Sequence, residues 1–433
     1  MPRVALHTLG CKLNYAETSS LGRQFLQHGY DIVEFGTPAD VHVINTCSVT
    51  ARADQECRQV IRRALRTSPE SFVIVTGCYA QLQPGTLAAI DGVDLVLGSS
   101  EKFSLFELAG DMRKLSCARV HVADVAGSPP FGPAYTTEAG GRTRAFLKVQ
   151  DGCDYSCSFC TIPRARGASR SQPLDECLTQ AQALASEGFK EIVLTGVNVG
   201  DYGRKFSLHL LDLLEGLAAV PGLDRIRISS IEPNLLTREV LDLISGNSLF
   251  CRHFHIPLQS GSDRILRLMR RRYDTGDYRR LIEQIRLKLP QAGIGVDVIV
   301  GFPGETEDNF LETHAFLRDL AVSYLHVFTY SERPGTPAVA LEGSVPPEER
   351  SRRNSILRTL SEKKRQAFLE GLSGNSVPVL LENEIDEGLR YGLTDSYARV
   401  GVPADGTAEN TMVRVRVTDV RPGYCVGRLE GDL

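Results

Sequence analysis

Twice along the chain, short β-rich runs alternate with helical ones. This alternation constrains the fold most, because parallel strands need long crossovers and helices supply them. The first series fills residues 1–115, with strands predicted at 4–9, 41–45, 72–76 and 95–97 and helices at 16–27, 53–66, 84–90 and 101–108. The second fills residues 144–345, with strands predicted at 145–149, 191–195, 225–229, 253–257, 295–300 and 324–329. Helices are predicted between them, among others at 173–186, 207–219, 237–244 and 308–320. Six β/α units suit a partial (β/α)6 barrel better than a complete eightfold one; an open doubly wound sheet would give the same string. Residues 116–143, rich in Gly, Pro and Thr towards their end, are read as a linker, and a charged helix at 348–369 dominates a connecting segment, 346–373. The tail, 374–433, has short β-rich runs at 377–381, 397–400 and 412–417 between turn residues, which suits a small antiparallel, OB-like β-barrel.

The fold class is therefore α/β and multidomain, as 433 residues also imply, since that length suits about three domains. A hydrophobic fraction of 42% and a charged fraction of 24% are those of a globular protein and exclude a disordered one. A net charge of −4 and a pI near 6.2 exclude a global basic field, so a nucleic-acid partner would have to be held by local patches. No apolar run approaches the roughly 18 residues of a membrane span. The first residues lack the layout of a secretory signal, so a cytoplasmic location without a membrane partner is expected. Eleven cysteines in such a chain point to metal or catalysis rather than disulfides.

Cys153, Cys157 and Cys160 stand in Gly152-Cys153-Asp154-Tyr155-Ser156-Cys157-Ser158-Phe159-Cys160, just after the first strand of the second series. Three thiolates at this spacing can reach one iron–sulfur cubane from a single loop and leave one iron open. That vacancy suits the amino and carboxylate groups of S-adenosylmethionine (SAM), whose reductive cleavage gives a 5′-deoxyadenosyl radical. A zinc knuckle is the competing reading, but zinc closes with four ligands and no fourth Cys or His stands near. Cys11, Cys47 and Cys78 each follow a predicted strand of the first series. In a parallel sheet all carboxyl ends share one edge, so the three converge, and Gly10 and Gly77 would let the backbone crowd that point. A second open cluster is one reading and three packed thiols the other. Cys57, Cys117, Cys177, Cys251 and Cys425 have no partner at ligand spacing and are expected to pack.

The nonapeptide resembles the radical-SAM signature, in which an aromatic, here Phe159, precedes the third cysteine; the resemblance implies packing against the SAM adenine. Taken with the first cysteine trio and the β-rich tail, the whole chain resembles the methylthiotransferases, which join an N-terminal cluster domain, a radical-SAM core and a C-terminal TRAM domain. That resemblance implies an auxiliary 4Fe–4S cluster on Cys11, Cys47 and Cys78 and a radical-generating one on Cys153, Cys157 and Cys160, all six catalytic. It implies two roles for SAM, methyl donor and radical source, with electron and sulfur donors from outside. Gly196 and Asn198, Ser229 and Glu232, Gln259, and Gly301 follow successive predicted strands and are the expected cofactor contacts.

Three branches of the family compete. One modifies N6-threonylcarbamoyladenosine at tRNA position 37, one N6-isopentenyladenosine at the same position, and one a ribosomal-protein aspartate. Gly10-Cys11-Lys12-Leu13-Asn14, Gly77-Cys78-Tyr79-Ala80-Gln81 and Met269-Arg270-Arg271-Arg272-Tyr273 look most like the first. An enzyme of that branch would meet the tRNA anticodon loop through Lys or Arg near the barrel mouth. Arg164, Arg166, Arg270, Arg271 and Arg272 are the candidates, with Arg414 and Arg416 on one strand face of the tail. The tail itself, 376–433, has six Arg against ten acidic residues, so docking of protein is its alternative role. A non-catalytic iron–sulfur RNA-binding redox sensor is the reading from another class. A monomer is the default expectation, no oligomeric signal being legible.

Overall fold

A computed structural model describes residues 1–127, 131–136 and 143–432. The predicted linker, 116–143, therefore lies partly outside the described residues. The N-terminal sheet is six-stranded and parallel, in the order β2-β1-β3-β4-β5-β6. Its strands are β1 Arg3–Thr8, β2 Asp31–Val33, β3 Val41–Thr46, β4 Phe72–Gly77, β5 Leu95–Leu97 and β6 Arg119–His121. Strands β3 and β4 are buried along their whole length, which is why they read as continuous apolar runs instead of alternating ones. Helices α1 Lys12–Gln27, α2 Ala51–Thr67, α3 Cys78–Leu82, α4 Pro84–Ala88 and α5 Leu105–Ala109 form the crossovers. The short β2 and β6 have no alternating pattern of their own and were not predicted; α1 starts four residues before its predicted limit, directly after Cys11.

The second series forms an open half-barrel. Its strands are β7 Arg144–Lys148, then, after a small ribbon of β8 Gln150–Asp151 and β9 Arg170–Ser171, β10 Glu191–Thr195, β11 Arg225–Ile228, β12 His253–His255, β13 Gly293–Val300 and β14 Tyr324–Thr329. The ladders β11-β10-β7 and β12-β13-β14 are parallel, and the bridges Ile226↔Phe250 and Ser230↔His255 join them side by side. Helices α6 Ile162–Arg166, α7 Leu174–Ser186, α8 Leu210–Ala218, α9 Arg238–Gly246, α10 Asp263–Leu268, α11 Thr275–Lys288 and α12 Glu307–Asp319 complete it. Outward-facing residues such as Leu147, Ile192, Leu194, Ile226, Ile294, Val296 and Val298 make one aliphatic core with these helices. Helix α1 packs against β7, the free edge of the half-barrel.

Helix α13, Pro347–Glu370, leads to a closed five-stranded barrel of β15 Ser376–Asp386, β16 Leu389–Thr394, β17 Arg399–Pro403, β18 Met412–Arg421 and β19 Tyr424–Asp432. One pair, β17 with β19, is parallel, so the barrel is not purely antiparallel as expected. It sits beneath the amino ends of the half-barrel strands. There Arg225 and Arg227 donate to the carbonyls of Pro378, Leu393, Thr394 and Asp395. No helix among the described residues is long and apolar enough to cross a membrane.

Candidate functional site

The three N-terminal cysteines lie at neighbouring strand ends because β1, β3 and β4 are adjacent and in register. Side chains staple those ends together. Asn14 Nδ2 donates to the carbonyls of Leu9 and Thr46 at 2.8 and 3.1 Å, and Asn45 Nδ2 donates to Asn14 O at 3.0 Å. Thr46 Oγ1 donates to Thr76 O at 2.5 Å, and Cys57 Sγ to Cys47 O at 3.3 Å. Gly10 and Gly77 both have positive φ, +102° and +98°. A Cβ on Gly10 would lie 2.9 Å from Cys47 Sγ, and one on Gly77 would run into the Thr46 carbonyl. Cys11 stands at the N-cap of α1 and Cys78 opens α3, so helix N-termini, which favour negative charge, meet at the trio. Burial, then its neighbour Cys78, pushes the Cys47 thiol up to about 12, and burial raises Cys78. A metal centre would take these ligands as thiolates, with release of their protons.

The second trio is local. Cys153 N donates to Gly167 O, Cys160 N to Cys157 O, and the backbone N–H groups of Tyr155 and Ile162 point at the sulfurs of Cys153 and Cys160. Burial pushes Cys153 and Cys160 up to about 12, while Cys157 receives a hydrogen bond from Arg271 Nη1 at 3.1 Å. Phe159, half-buried, is edge-on to Phe302 with ring centroids 6.3 Å apart. Four of the five remaining cysteines, Cys57, Cys177, Cys251 and Cys425, are buried as expected; Cys117 is exposed.

Cys160 and the loop that follows Cys47 border one cavity of about 210 Å³. Phe159, Cys160, Thr161 and Ile162 line it from the half-barrel, and Val49 and Thr50 from the loop after Cys47, with Gln259, Asp297 and Ile299 as its floor. Arg333 holds that loop down from the half-barrel side, pairing with Asp54 at 2.8 Å and donating to Ser48 Oγ. Under α1 lies a dry network of charges. Glu17 accepts from Lys102, Lys148 and Arg166 at 2.5, 2.9 and 3.0 Å, and Asp151 pairs with Lys148, Arg166 and Arg170 at 2.8, 2.9 and 3.0 Å. Arg166 Nη2 also donates to Asn14 Oδ1 at 2.5 Å, which ties the network to the staple of the first trio. Burial opposes ionisation of Glu17, but Arg166, Lys102 and Lys148 outweigh it and hold its carboxyl well below the usual range.

The predicted arginines divide. Arg164, Arg270, Arg272 and Arg414 are exposed, Arg272 lying over the Tyr155 ring at 3.8 Å. Arg416 is paired with Glu430 at 2.7 Å, which leaves no free basic stripe with Arg414. Arg166 and Arg271, expected to face RNA, are corrected. Arg166 is 1% exposed inside the charge network, and Arg271 is buried between Glu232 and Cys157. Charge alone in the sequence could not separate a solvated arginine from one neutralised by a carboxylate 149 residues away. Of the predicted cofactor contacts, Asn198, Ser229, Glu232 and Gln259 cluster at the carboxyl ends of their strands. Asn198 Nδ2 and Ser229 Oγ are buried without a partner among the described residues, as a polar ligand beside the Cys153–Cys160 loop would require. Gln259 takes a positive φ of 73° and lines the cavity. Gly196 approaches Gln150 rather than open space, and Gly301 is also corrected: the space above it is filled by the aliphatic stem of Arg350. Lys12, His255, Asp297 and His326 were not predicted. For His255, Asp297 and His326 the signal was available as polar residues at alternate positions of strands whose other face is aliphatic; Lys12 opens a helix and had no such signal.

Three thiols on one loop at the carboxyl edge of a half-barrel, beside unpartnered polar groups, define a radical-SAM site. Comparison with known proteins agrees. Residues 147–317 match the model of the radical SAM superfamily, and residues 3–98 match one described as Uncharacterized protein family UPF0004. The chain is 38% identical to the threonylcarbamoyladenosine tRNA methylthiotransferase MtaB of Bacillus subtilis, over 98% of this chain and 95% of that one. It is 40% identical to the protein of the same name from Aquifex aeolicus, over 96% and 100%. It is 33% identical to the tRNA-2-methylthio-N(6)-dimethylallyladenosine synthase of Methylobacillus flagellatus, over 96% of both. Among solved structures, the radical SAM methyltransferase TsrM of Kitasatospora setae shares the fold, at 16% identity and a TM-score of 0.57 over 90% of this chain and 80% of that one. The chain belongs to the radical-SAM tRNA methylthiotransferase family, whose cofactors are SAM and 4Fe–4S clusters.

Proposed function

We propose that this chain is the enzyme that adds a methylthio group to C2 of N6-threonylcarbamoyladenosine at position 37 of tRNA. The observation that carries this reading is one cavity bordered both by Cys160 of the local thiol trio and by Val49 and Thr50, which follow Cys47 of the other trio. The relatives at 38% and 40% identity, both named for that substrate, support the branch. In this reading residues 1–115 carry the auxiliary cluster on Cys11, Cys47 and Cys78. Residues 144–345 carry the radical-SAM cluster on Cys153, Cys157 and Cys160, and residues 374–433 form the TRAM domain. The clusters and SAM supply one-electron chemistry that an aromatic C–H bond, neither acidic nor electrophilic, requires.

The protein's own contribution is placement. Asn198, Ser229 and Gln259 would orient the cofactor beside Phe159, and Arg271, its guanidinium fixed by Glu232, donates to Cys157 Sγ, one of the sulfurs that would hold the cluster. The Glu17 and Asp151 network locks the two cysteine-bearing units at one separation. The exposed Arg164, Arg270 and Arg272 meet phosphates of the anticodon loop, whose bases can be presented unstacked to a pocket. Electrons and sulfur come from outside donors.

The test is anaerobic incubation of the reconstituted protein with SAM, a reductant, sulfide and tRNA carrying threonylcarbamoyladenosine or isopentenyladenosine, followed by nucleoside mass spectrometry. The methylthio derivative of the first nucleoside alone is expected. Modification of the second alone, or of neither while SAM is cleaved, overturns the assignment.

A further inference from the structure

The inside of this half-barrel is not a packed apolar core. On β10 to β14 one face supplies the aliphatic core against the helices, and the other carries Glu191, Arg225, Arg227, His253, His255, Asp297, Tyr324 and His326. The ring of Tyr324 crosses β13 only because residue 295 is a glycine. His255 Nε2 and Asp297 Oδ1 are 2.7 Å apart, and His326 stands beside them with its ring centroid 5.4 Å from that of His255. One ligand atom from each of the three lies within 4.8 Å of the others. The chamber is floored from the C-terminal barrel: Tyr397 stacks on His253 with centroids 4.7 Å apart, and His253 shares a hydrogen bond of 2.7 Å with Tyr324. Lys12, the residue after Cys11, enters from the open edge and holds its ammonium 5.7 Å from the Tyr397 ring.

Most of these charges are matched. Glu191 is bonded to Arg227, and Asp297 to His255. Two groups are not: Lys12 has no ion pair, and His326 no hydrogen bond, among the described residues. An inward-facing ammonium without an anion is costly, so a ligand anion is the natural complement. Asp297 also lines the cavity that holds Cys160, so the chamber opens beside the loop of the local trio.

We propose that Lys12 and His326, with His255 fixed by Asp297, form the subsite that receives the carboxylate of the threonylcarbamoyl group on the target adenosine. This rests on the function proposed above. N6 and C2 flank N1 on one edge of adenine, so a substituent on N6 lies close beside the carbon to be modified. The subsite is next to Cys11 for that reason, and a hydrocarbon substituent would leave the Lys12 ammonium unanswered.

The test uses the cluster-loaded full chain and binding of anticodon stem-loop RNA, without SAM, by anaerobic fluorescence anisotropy. Three RNAs carry threonylcarbamoyladenosine, its carboxamide analogue, or plain adenosine. Native protein is expected to favour the carboxylate over the carboxamide. Lys12→Met should lose about tenfold to a hundredfold in affinity for the carboxylate RNA, the range of a charge-assisted hydrogen bond, and little for the carboxamide. Lys12→Arg should recover most of it, and His326→Phe should act in the same direction as Lys12→Met. Iron and sulfide content equal to native shows that each variant has folded and loaded. A preference for the carboxylate that survives both Lys12→Met and His326→Phe overturns the subsite alone. Native protein that ignores the threonylcarbamoyl group brings down the substrate assignment with it. One equivalent of zinc bound by the cluster-loaded protein, and absent from His326→Phe, would make the group of His255, Asp297 and His326 a metal site and also overturn the proposal.

Discussion

The two cysteine trios present the same donor set by opposite routes. Cys153, Cys157 and Cys160 span eight residues of one loop, and their spacing is held by backbone hydrogen bonds within that loop and its neighbour. Cys11, Cys47 and Cys78 are brought together only by the pairing of β1, β3 and β4 and by the side chains of Asn14, Asn45 and Thr46. A local trio can survive considerable damage to the rest of the chain. A trio assembled from three strand ends is a property of the whole sheet and is lost when the sheet's edge loosens. The two also differ in what surrounds them: a single arginine donates to Cys157, whereas a network with excess positive charge lies behind Cys78.

The largest effects should come from the thiols themselves and should separate the two roles. Cys153→Ala should abolish cleavage of SAM to 5′-deoxyadenosine. Cys47→Ala should leave that cleavage running without transfer of a methylthio group. Both products are read by mass spectrometry from one anaerobic reaction. If either variant still modifies tRNA, or if Cys47→Ala stops SAM cleavage as completely as Cys153→Ala, the division between the trios is wrong.

The same contrast explains what was legible in the sequence. The local trio is fully written in one nonapeptide, and the distant trio was found because β1, β3 and β4 are strong strands and each cysteine follows one of them. The arginines were misjudged where partners are remote. Nothing near Arg166 in the chain announces Glu17, and nothing near Arg271 announces Glu232. Gly301 is expected at the cofactor because it follows a predicted strand, yet a helix 49 residues further on supplies the side chain that needs the space. Short edge strands such as β2 and β6 carry too few residues for a period to show. The polar inner face of the half-barrel was in the sequence but hidden by its own alternation, since His255, Asp297 and His326 each sit between apolar residues of the core and read individually as exceptions.

A smaller effect than loss of a thiol, but one that still distinguishes the trios, is expected at Glu17. Its carboxylate neutralises three buried cations and, with the Asn14–Arg166 hydrogen bond, joins α1 to the half-barrel. Glu17→Gln leaves Lys102, Lys148 and Arg166 partly uncompensated, and breaking a buried pair on one side costs about 3–5 kcal/mol. Denaturant unfolding of the cluster-free chain should show that loss. Reconstituted protein should hold about half the native iron, with the SAM-cleaving centre retained. Equal loss of iron from both centres, or native iron with native stability, would remove the claim that the N-terminal trio depends on this network.

The smallest effect serves as the control, a charge pair of equal burial at the other end of the half-barrel. Glu191 pairs with Arg227 at 2.6 Å beneath the strands, where the C-terminal barrel docks. Burial would raise its carboxyl, but Arg227 and Arg225 outweigh burial and bring it to about 2. An unfolded glutamate titrates near 4.3, so the contribution is complete above that value and fades as pH falls towards 2. Two and a fraction pH units correspond to about 3 kcal/mol at pH 7, of which about half should remain at pH 3. Unfolding of native chain and Glu191→Gln at pH 7, 5 and 3 should therefore show a stability difference that is constant down to pH 5 and clearly smaller at pH 3. Both trios should retain iron in this variant at neutral pH, because neither hangs on the amino end of the strands. A pH-independent difference would mean that Glu191 is not ionised through this window. Selective loss of iron from the N-terminal trio would mean that its dependence on the sheet edge extends through the whole half-barrel.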